Sequence, residues 1–426
     1  MKVLFAPFLL LLFALPARAA DTLSAEEIRA DFKQLYETLQ ERDPELFVHF
    51  DKPHYDSLYQ ASLDAIAGDE AVPEAAKRFQ RFVAAGGVSH ARIDANYAAF
   101  RDYLAKGGRA FPLYLKLVHG RYYVAENRSG LKSIRRGEEV YAINREPIRA
   151  WFARAAQNFS ADTAFMAQTQ LETDFPMALW LELGPAADHV ELTFARRKVL
   201  FHKVVPFLTE AELAANAKKQ PPVLVLDGHS RKARVFGALA YLRPGIFRNF
   251  RGGGDESEFK QFLAEAFDGF RSRESRALLI DLRDNPGGGD AFAADLVAWF
   301  AKIPFRLHAG GPLVEPQGGH FDGKTYVLVN RNSYSACTVV AAAVQDQHLA
   351  LVIGEKTADL ATNQTAIETF KLDNSGLVVG FPTQTVTRPA GETAPRSVLP
   401  DVLIDTPVIE DPGDPVLRQA FDLMTK

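Results

Sequence analysis

The stretch from Ala277 to Gln364 constrains the fold more than any other part of the chain. It opens with ALLIDLRDNPGGGD (Ala277 to Asp290), an apolar run suited to a strand buried on both faces, leading straight into glycines. TYVLVNRNSYSACTVVAAAVQD (Thr325 to Asp346) repeats the plan with a second buried strand, a hydroxyl-rich turn and a helix of small residues. LALVIGEKTADLATNQ (Leu349 to Gln364) adds a further strand and turn. Buried strands separated by helices predict an α/β core with both sheet faces covered. A strand that ends in glycines offers free backbone N–H groups. A strand that breaks into Ser-Tyr-Ser ahead of a helix lifts a hydroxyl above the sheet edge. Together these are the parts of an acyl-transfer site, a nucleophile and an oxyanion pocket.

The rest of the chain reads as units arranged around that core. MKVLFAPFLLLLFALPARAA has a lysine start, an apolar run from Val3 to Leu15 and a small-residue box at Ala17 to Ala19, so residues 1–20 are expected to be a secretory signal peptide. Residues 21–108 read as an N-terminal helical region. Ser24 and Glu27 form a capping box, and Ile28, Phe32, Leu35, Tyr36 and Leu39 share one face. That region ends in GGVSHARIDA (Gly86 to Ala95), a glycine turn carrying Ser89 and His90 ahead of an expected alternating strand. Residues 109–207 are expected to be a small β-rich domain, with a His119-Gly120 hairpin turn and alternating strands in HVELTFARRKVLFHKVVP. A polar, alanine- and lysine-rich linker follows over 208–222. The α/β core is expected to span 223–410, opening with VLVLDGHS and ARVFGALAYLRPGIF as paired strands, and 411–426 to form a C-terminal helix.

Composition narrows the function. A net charge of −4 with both signs interspersed gives no electrostatic reason to expect nucleic acid or an anionic membrane as partner. Beyond the leader no segment approaches the roughly 20 apolar residues of a membrane span, so the expected mature protein is exported, periplasmic or secreted, with no integral membrane segment. Cys337 is the only cysteine, which leaves stability to the core rather than to an internal disulfide. The histidines show no metal-ligand spacing. A phosphate-cradling reading of the glycine turn would need Lys-Ser or Lys-Thr after the glycines, and Asp290 stands there instead.

LVNRNSYSACTVVAAAVQD resembles the nucleophile segment of the carboxyl-terminal processing (tail-specific) serine proteases, and alignment on LVN and QD puts the family's nucleophile on Ser335. The N–H of Ala336 then becomes one oxyanion donor. DLRDNPGGG resembles the same family's DLRxNPGG turn, which implies a second donor from Gly287 or Gly288. Taken alone, Ser333 and Ser335 also read as helix-capping hydroxyls. RRGEEVYAINREPI (Arg135 to Ile148) resembles the turn of PDZ-like peptide-binding modules, departing from it at Glu138 and Arg145. The resemblance implies a crotonase-like or ClpP-like core of stacked ββα units. With it come a requirement for neither metal nor cofactor, and peptides or unfolded, tail-presented chains as substrates.

One departure matters. The family's general-base lysine falls on Leu360, which cannot accept a proton, while its glutamine is kept as Gln364; Lys356, in the preceding turn, reads as a surface charge. GGVSHARI instead resembles the Ser-His element of tricorn-type relatives. This implies His90 as base, with Ser89 beside it and a downstream glutamate, for which Glu392 in RPAGETAPRSVLPD lies nearest. Arg283 or Gln364 is expected to hold the site together. The leading expectation is an exported serine endopeptidase. The alternative is a catalytically inactive peptide-binding protein on the same fold, and an acyl-CoA enzyme draws only on the core.

Overall fold

The computed structural model describes residues 22–425 apart from 45, 197–198, 250–255 and 395; the expected signal peptide lies outside the described residues. The first unit is helical. It comprises β1 (Thr22–Leu23), α1 (Ala25–Arg42), α2 (Lys52–Asp64), β2 (Glu70–Ala71), α3 (Val72–Ala84) and α4 (Ala95–Ala105). The Ser24 hydroxyl accepts the Glu27 N–H while the Glu27 carboxylate accepts the Ser24 N–H, closing the capping box, a device worth about 1 kcal/mol. Where an alternating strand was expected after His90, α4 forms. Its Ala95, Ala98 and Ala99 favour helix, and only Arg92 keeps a strand-like bridge, exchanging both backbone hydrogen bonds with Gly380 at 2.9 Å.

The second unit contains β3 (Leu113–Val118), β4 (Arg121–Asn127), β5 (Glu139–Ile143), β6 (Glu146–Pro147), α5 (Ile148–Ala156), α6 (Ala164–Leu183), β7 (His189–Arg196) and β8 (Val199–Pro206). The sheet order is β3-β4-β5-β7-β8, with β6 paired to β5. His119 and Gly120 both take positive φ in the β3–β4 turn, as do Asn144 and Arg145 in the β5–β6 turn, the conformation that suits two-residue hairpins. α6 had no counterpart in the sequence reading. It is apolar around most of its circumference, which hides any face from periodicity analysis, and it kinks at Asp174 ahead of Pro176.

The expected linker is partly helical. α7 (Glu210–Ala217) is capped by Thr209 and Glu212 in a second capping box. VLVLDGHS, expected as a strand, pairs with none. It runs extended along the core, with the Leu224 N–H on Glu410 and Gly228 so close to Asp284 that a Cβ there would lie 1.7 Å from its carbonyl oxygen.

The core follows as β9 (Lys232–Phe236), β10 (Leu239–Arg243), α8 (Ser257–Ser272), β11 (Ala277–Asp281), α9 (Asp290–Ala298), β12 (Lys324–Val329), α10 (Ala336–Asp346), β13 (Leu351–Gly354), β14 (Asn363–Lys371), β15 (Val378–Val386), β16 (Val402–Leu403) and α11 (Pro415–Met424). One sheet runs β16-β13-β12-β11-β10-β9, parallel except for β9. Side chains alternate between its faces. Leu278 and Ile280 join a core with α8, α9 and α10, whereas Ala277 and Leu279 meet Ala420 and Met424 of α11. Phe259, Leu263, Phe267 and Phe270 line the buried stripe of α8, each worth roughly 1.5–3 kcal/mol of burial.

Two connections position the site. The β14–β15 hairpin leaves the sheet and buries Leu372, Leu377, Val379 and Phe381 among α1 and α3. Its turn is held by the fully buried Asp31, which accepts the Asn374 and Ser375 N–H groups at 2.9 and 2.7 Å. The second connection is Arg331, four residues before Ser335. It pairs with Glu355 and with Glu172 of α6 and donates to the Leu117 carbonyl. Burial pushes the Glu172 carboxyl up to about 7 against the pull of Arg331. The helical unit is therefore packed against the β14–β15 hairpin, and the β-rich unit against the turn at the end of β12.

Candidate active site

That turn is laced from both sides. The Asn330 N–H donates to the Ser333 hydroxyl, which donates to the Leu282 carbonyl at 2.9 Å. Asn330 and Asn332 both donate to the Asp284 carboxylate, and the Tyr334 N–H donates to the Asn285 carbonyl. These bonds force Ser335 to φ 52°, ψ −124°, a region normally left to glycine that costs on the order of 1–3 kcal/mol. A strained serine between a parallel strand and a helix is the geometry that presents a nucleophile at a sheet edge. The two serines part company here. Ser333 is fully buried and structural. Ser335 stands at the N-cap position of α10 but makes no capping bond with its side chain.

The glycine turn lies alongside. Gly287 and Gly288 take φ of 86° and 139°. The Gly287 N–H is occupied by the Asn285 side chain at 3.0 Å, while the carbonyl of Gly287 and the N–H of Gly289 both bond to Phe247. Among the described residues no acceptor faces the N–H groups of Gly288 or Ala336. Two free donors thus flank the serine, one of them at a helix N-terminus where partial positive charge collects. Cys337 is buried beneath the turn, and burial pushes its thiol well above the ordinary value, which keeps the sulfur protonated.

Asp359 was missed by the sequence reading. It precedes Leu360 and is 1 % exposed. One carboxyl oxygen accepts the Ser335 N–H and the other the Leu360 N–H. Burial pushes the Asp359 carboxyl up to about 6, opposed by those two N–H groups. A folded state that holds this proton more tightly than the unfolded chain loses stability as pH rises from 3.8 through about 6. The loss from this group is expected to be roughly 3 kcal/mol. Urea unfolding of wild type and Asp359→Asn at pH 4 and pH 7 checks it: the variant should lack that part of the fall, and equal slopes would assign the titration elsewhere.

The His90 turn comes from the helical unit. Val88, Ala91 and Ile93 are buried on either side of it, Arg92 is tied to β15, and the Ile93 N–H donates to Gln80 at 2.7 Å. His90 Nδ1 lies 3.2 Å from the Ser89 hydroxyl. The Ser89 N–H donates to Asp162 at 3.2 Å. Burial pushes the imidazole below the usual histidine value, Asp162 acting against the shift and Arg92 with it. No hydrogen bond joins His90 to Ser335. Asp359 and His90 both act electrostatically on Asp162, and Asp359 accepts the Ser335 N–H.

Other expected site residues lie elsewhere. The Glu392 carboxylate pairs with Arg396 at 3.1 Å and Arg388 at 3.9 Å, because the loop carrying it is rich in arginine; it reaches neither Ser335 nor His90. Arg283 is buried against Asp281 and against Asp414, the N-cap residue of α11, so it ties down the C-terminal helix rather than the serine. Gln364 pairs through its backbone with Thr385 in the β14–β15 hairpin, and its side chain lies outside the described residues. Lys356 is exposed, 5.3 Å over the Phe165 ring. Among the described residues no group of His, Cys, Asp or Glu is arranged to hold a metal ion, and no helix is long and apolar enough to cross a membrane.

The site thus combines a strained serine, free N–H donors and an α/β sheet with helices on both faces. Residues 239–404 match the model of peptidase family S41. A carboxyl-terminal-processing protease from Synechocystis sp. is 26% identical over 174 residues, covering 38% of this chain and 40% of that protein. A tail-specific protease from Haemophilus influenzae is 29% identical over 107 residues, covering 22% and 14%. The matched stretch spans less than half the length of either relative. In three dimensions, mature CPAF complexed with lactacystin aligns at a TM-score of 0.66 with 13% identity, over 94% of this chain and 97% of that one. The likeness to CPAF is one of fold, and it extends over the helical and β-rich units as well as the core.

Proposed function

We propose that the chain is an exported serine-type endopeptidase that cleaves unfolded or tail-presented polypeptides with Ser335 as nucleophile and His90 as general base. The observation that carries this reading is the Ser335 turn: a strained, uncapped hydroxyl beside the free N–H groups of Ala336 and Gly288. In the proposed reaction Ser335 Oγ attacks the peptide carbonyl as its proton passes to His90 Nε2. The developing oxyanion is held by the Gly288 and Ala336 N–H groups. His90 then returns the proton to the leaving amine, and a water activated by the same imidazole hydrolyses the acyl-Ser335 ester. Leu360 removes the amine used elsewhere in the family, so imidazole is the base this reading requires. The β-rich unit, with its PDZ-like β5–β6 turn, is proposed to hold the substrate chain.

A fluorophosphonate probe tests the reading. Wild type is expected to be labelled at Ser335 as found by peptide mass spectrometry, and Ser335→Ala to remain unlabelled. Because burial lowers the His90 pKa and the neutral imidazole is the active form, the labelling rate should fall only below pH 6.5. A wild-type protein that folds and takes no label leaves the peptide-holding alternative in its place.

A further inference from the structure

We propose that Asp162 is the positioning residue for the His90 base, acting through the Ser89 hydroxyl and reaching the site from the β-rich unit. The inference rests on the reading of Ser335 as nucleophile and His90 as base. Asp162 lies on the short connection between α5 and α6, far in sequence from both. Its Oδ1 accepts the Ser89 N–H at 3.2 Å, and its Oδ2 is buried without a hydrogen-bond partner. Ser89 Oγ is 3.2 Å from His90 Nδ1.

A hydroxyl has one proton to give and lone pairs to receive with. If Ser89 gives its proton toward the open oxygen of Asp162, it must accept at His90, so Nδ1 carries the hydrogen and Nε2 keeps its lone pair. That is the tautomer a general base for Ser335 needs. Once His90 takes up the serine proton, the same carboxylate faces the imidazolium through one hydroxyl. Glu392, the acid expected for this task, is held by Arg388 and Arg396 instead.

The connection bearing Asp162 is itself fixed to both sides of the site. Ser160 takes hydrogen bonds from Gln80 of α3 and from Gln170 of α6 at 3.1 Å each, and Arg81 donates to Asn158 at 2.9 Å. Next to Gln170 on α6, the Thr169 hydroxyl is 2.6 Å from that of Tyr334, the residue before Ser335. The charged and titratable groups acting on the pair are Asp162 and Arg92 at His90, and Asp359 and His90 at Asp162. Burial raises the Asp162 carboxyl above its usual value, as does Asp359, while Ser89 and His90 draw it back. Displacing the β-rich unit would withdraw the carboxylate and leave the imidazole free to turn. Base orientation is thereby coupled to the unit proposed to hold substrate.

The full-length protein is compared as wild type, Asp162→Asn, Asp162→Glu, Ser89→Ala and His90→Ala, by fluorophosphonate labelling rate against pH and by NMR titration of His90. Asp162→Asn is expected to slow labelling by about 10²-fold. It should also move the His90 titration, and the acid limb of the rate, to lower pH, because a negative charge beside the imidazole is gone. Asp162→Glu should restore part of the rate. If Asp162→Asn does not fold, Ser89→Ala cuts the same relay and should slow labelling comparably. A folded Asp162→Asn that labels at the wild-type rate with an unmoved His90 titration, while His90→Ala is inert, overturns the role of Asp162 alone. Failure of the wild type to label overturns it together with the reading beneath it.

Discussion

His90→Ala is expected to slow acyl transfer at Ser335 by about 10³-fold, within the usual range for loss of a general base, while leaving the fold intact. The imidazole makes a single hydrogen bond, to Ser89, whereas its neighbours Val88, Ala91 and Ile93 carry the packing of the turn. The thermal midpoint should therefore move by a few degrees at most. The residual rate should lose its acid limb, since no neutral imidazole remains to be protonated. Added imidazole, small enough to enter the space vacated by the side chain, should recover part of the activity. Probe labelling across pH 5–9 with and without imidazole is the measurement. A variant as reactive as wild type would mean that another group takes the Ser335 proton, and Asp359, which holds the Ser335 N–H, would be the first to examine.

Gly287→Ala should have an effect of similar size by a steric route. The residue sits at φ 86°, and a Cβ there would lie 2.5 Å from the Tyr334 carbonyl oxygen, 2.8 Å from the Ala336 nitrogen and 2.9 Å from the Ser335 Cβ. All three belong to the turn that carries the nucleophile. Two of them are backbone atoms, so the neighbour cannot rotate away. Relief requires the Ser335 turn to move off the glycine turn, which spreads the Ala336 and Gly288 N–H groups apart. Losing a well-aimed oxyanion donor costs about 10²–10³-fold in rate. The strain and overpacking together should destabilise the fold by roughly 2–5 kcal/mol. Labelling rate and urea unfolding read the two effects separately. Loss of labelling with unchanged stability would show that the turn yields easily, and full labelling would remove Gly287 from the wall of the site.

What was legible in the chain was whatever is encoded over a few consecutive residues. The buried strands β11 and β12, the Ser24 capping box and the His119-Gly120 turn follow from local pattern and backbone preference. The strand, hydroxyl turn and helix around Ser335 are local too, but local pattern left Ser333 and Ser335 alike as capping hydroxyls, and the resemblance to the tail-specific proteases' segment singled out Ser335. The misreadings have local causes as well. A short run such as RIDANYAAF fits alternation and helix equally, and neighbouring alanines decided for α4. The Ala-rich run after Thr209 looked like a polar linker yet carried its own cap. In α6, apolar residues on every side left periodicity with nothing to report.

By itself the sequence determined the strands, the glycine turn and the hydroxyl that rises from the end of β12, because each depends on φ, ψ and burial within one short segment. Tertiary structure alone decided which acids attend that hydroxyl. Asp359 reaches the Ser335 N–H from 24 residues downstream, and Asp162 reaches Ser89 from another unit. A carboxylate's partner is chosen by where packing removes it from water and which N–H, hydroxyl or guanidinium is then within about 3 Å, and residues scores of positions apart carry no local trace of that choice.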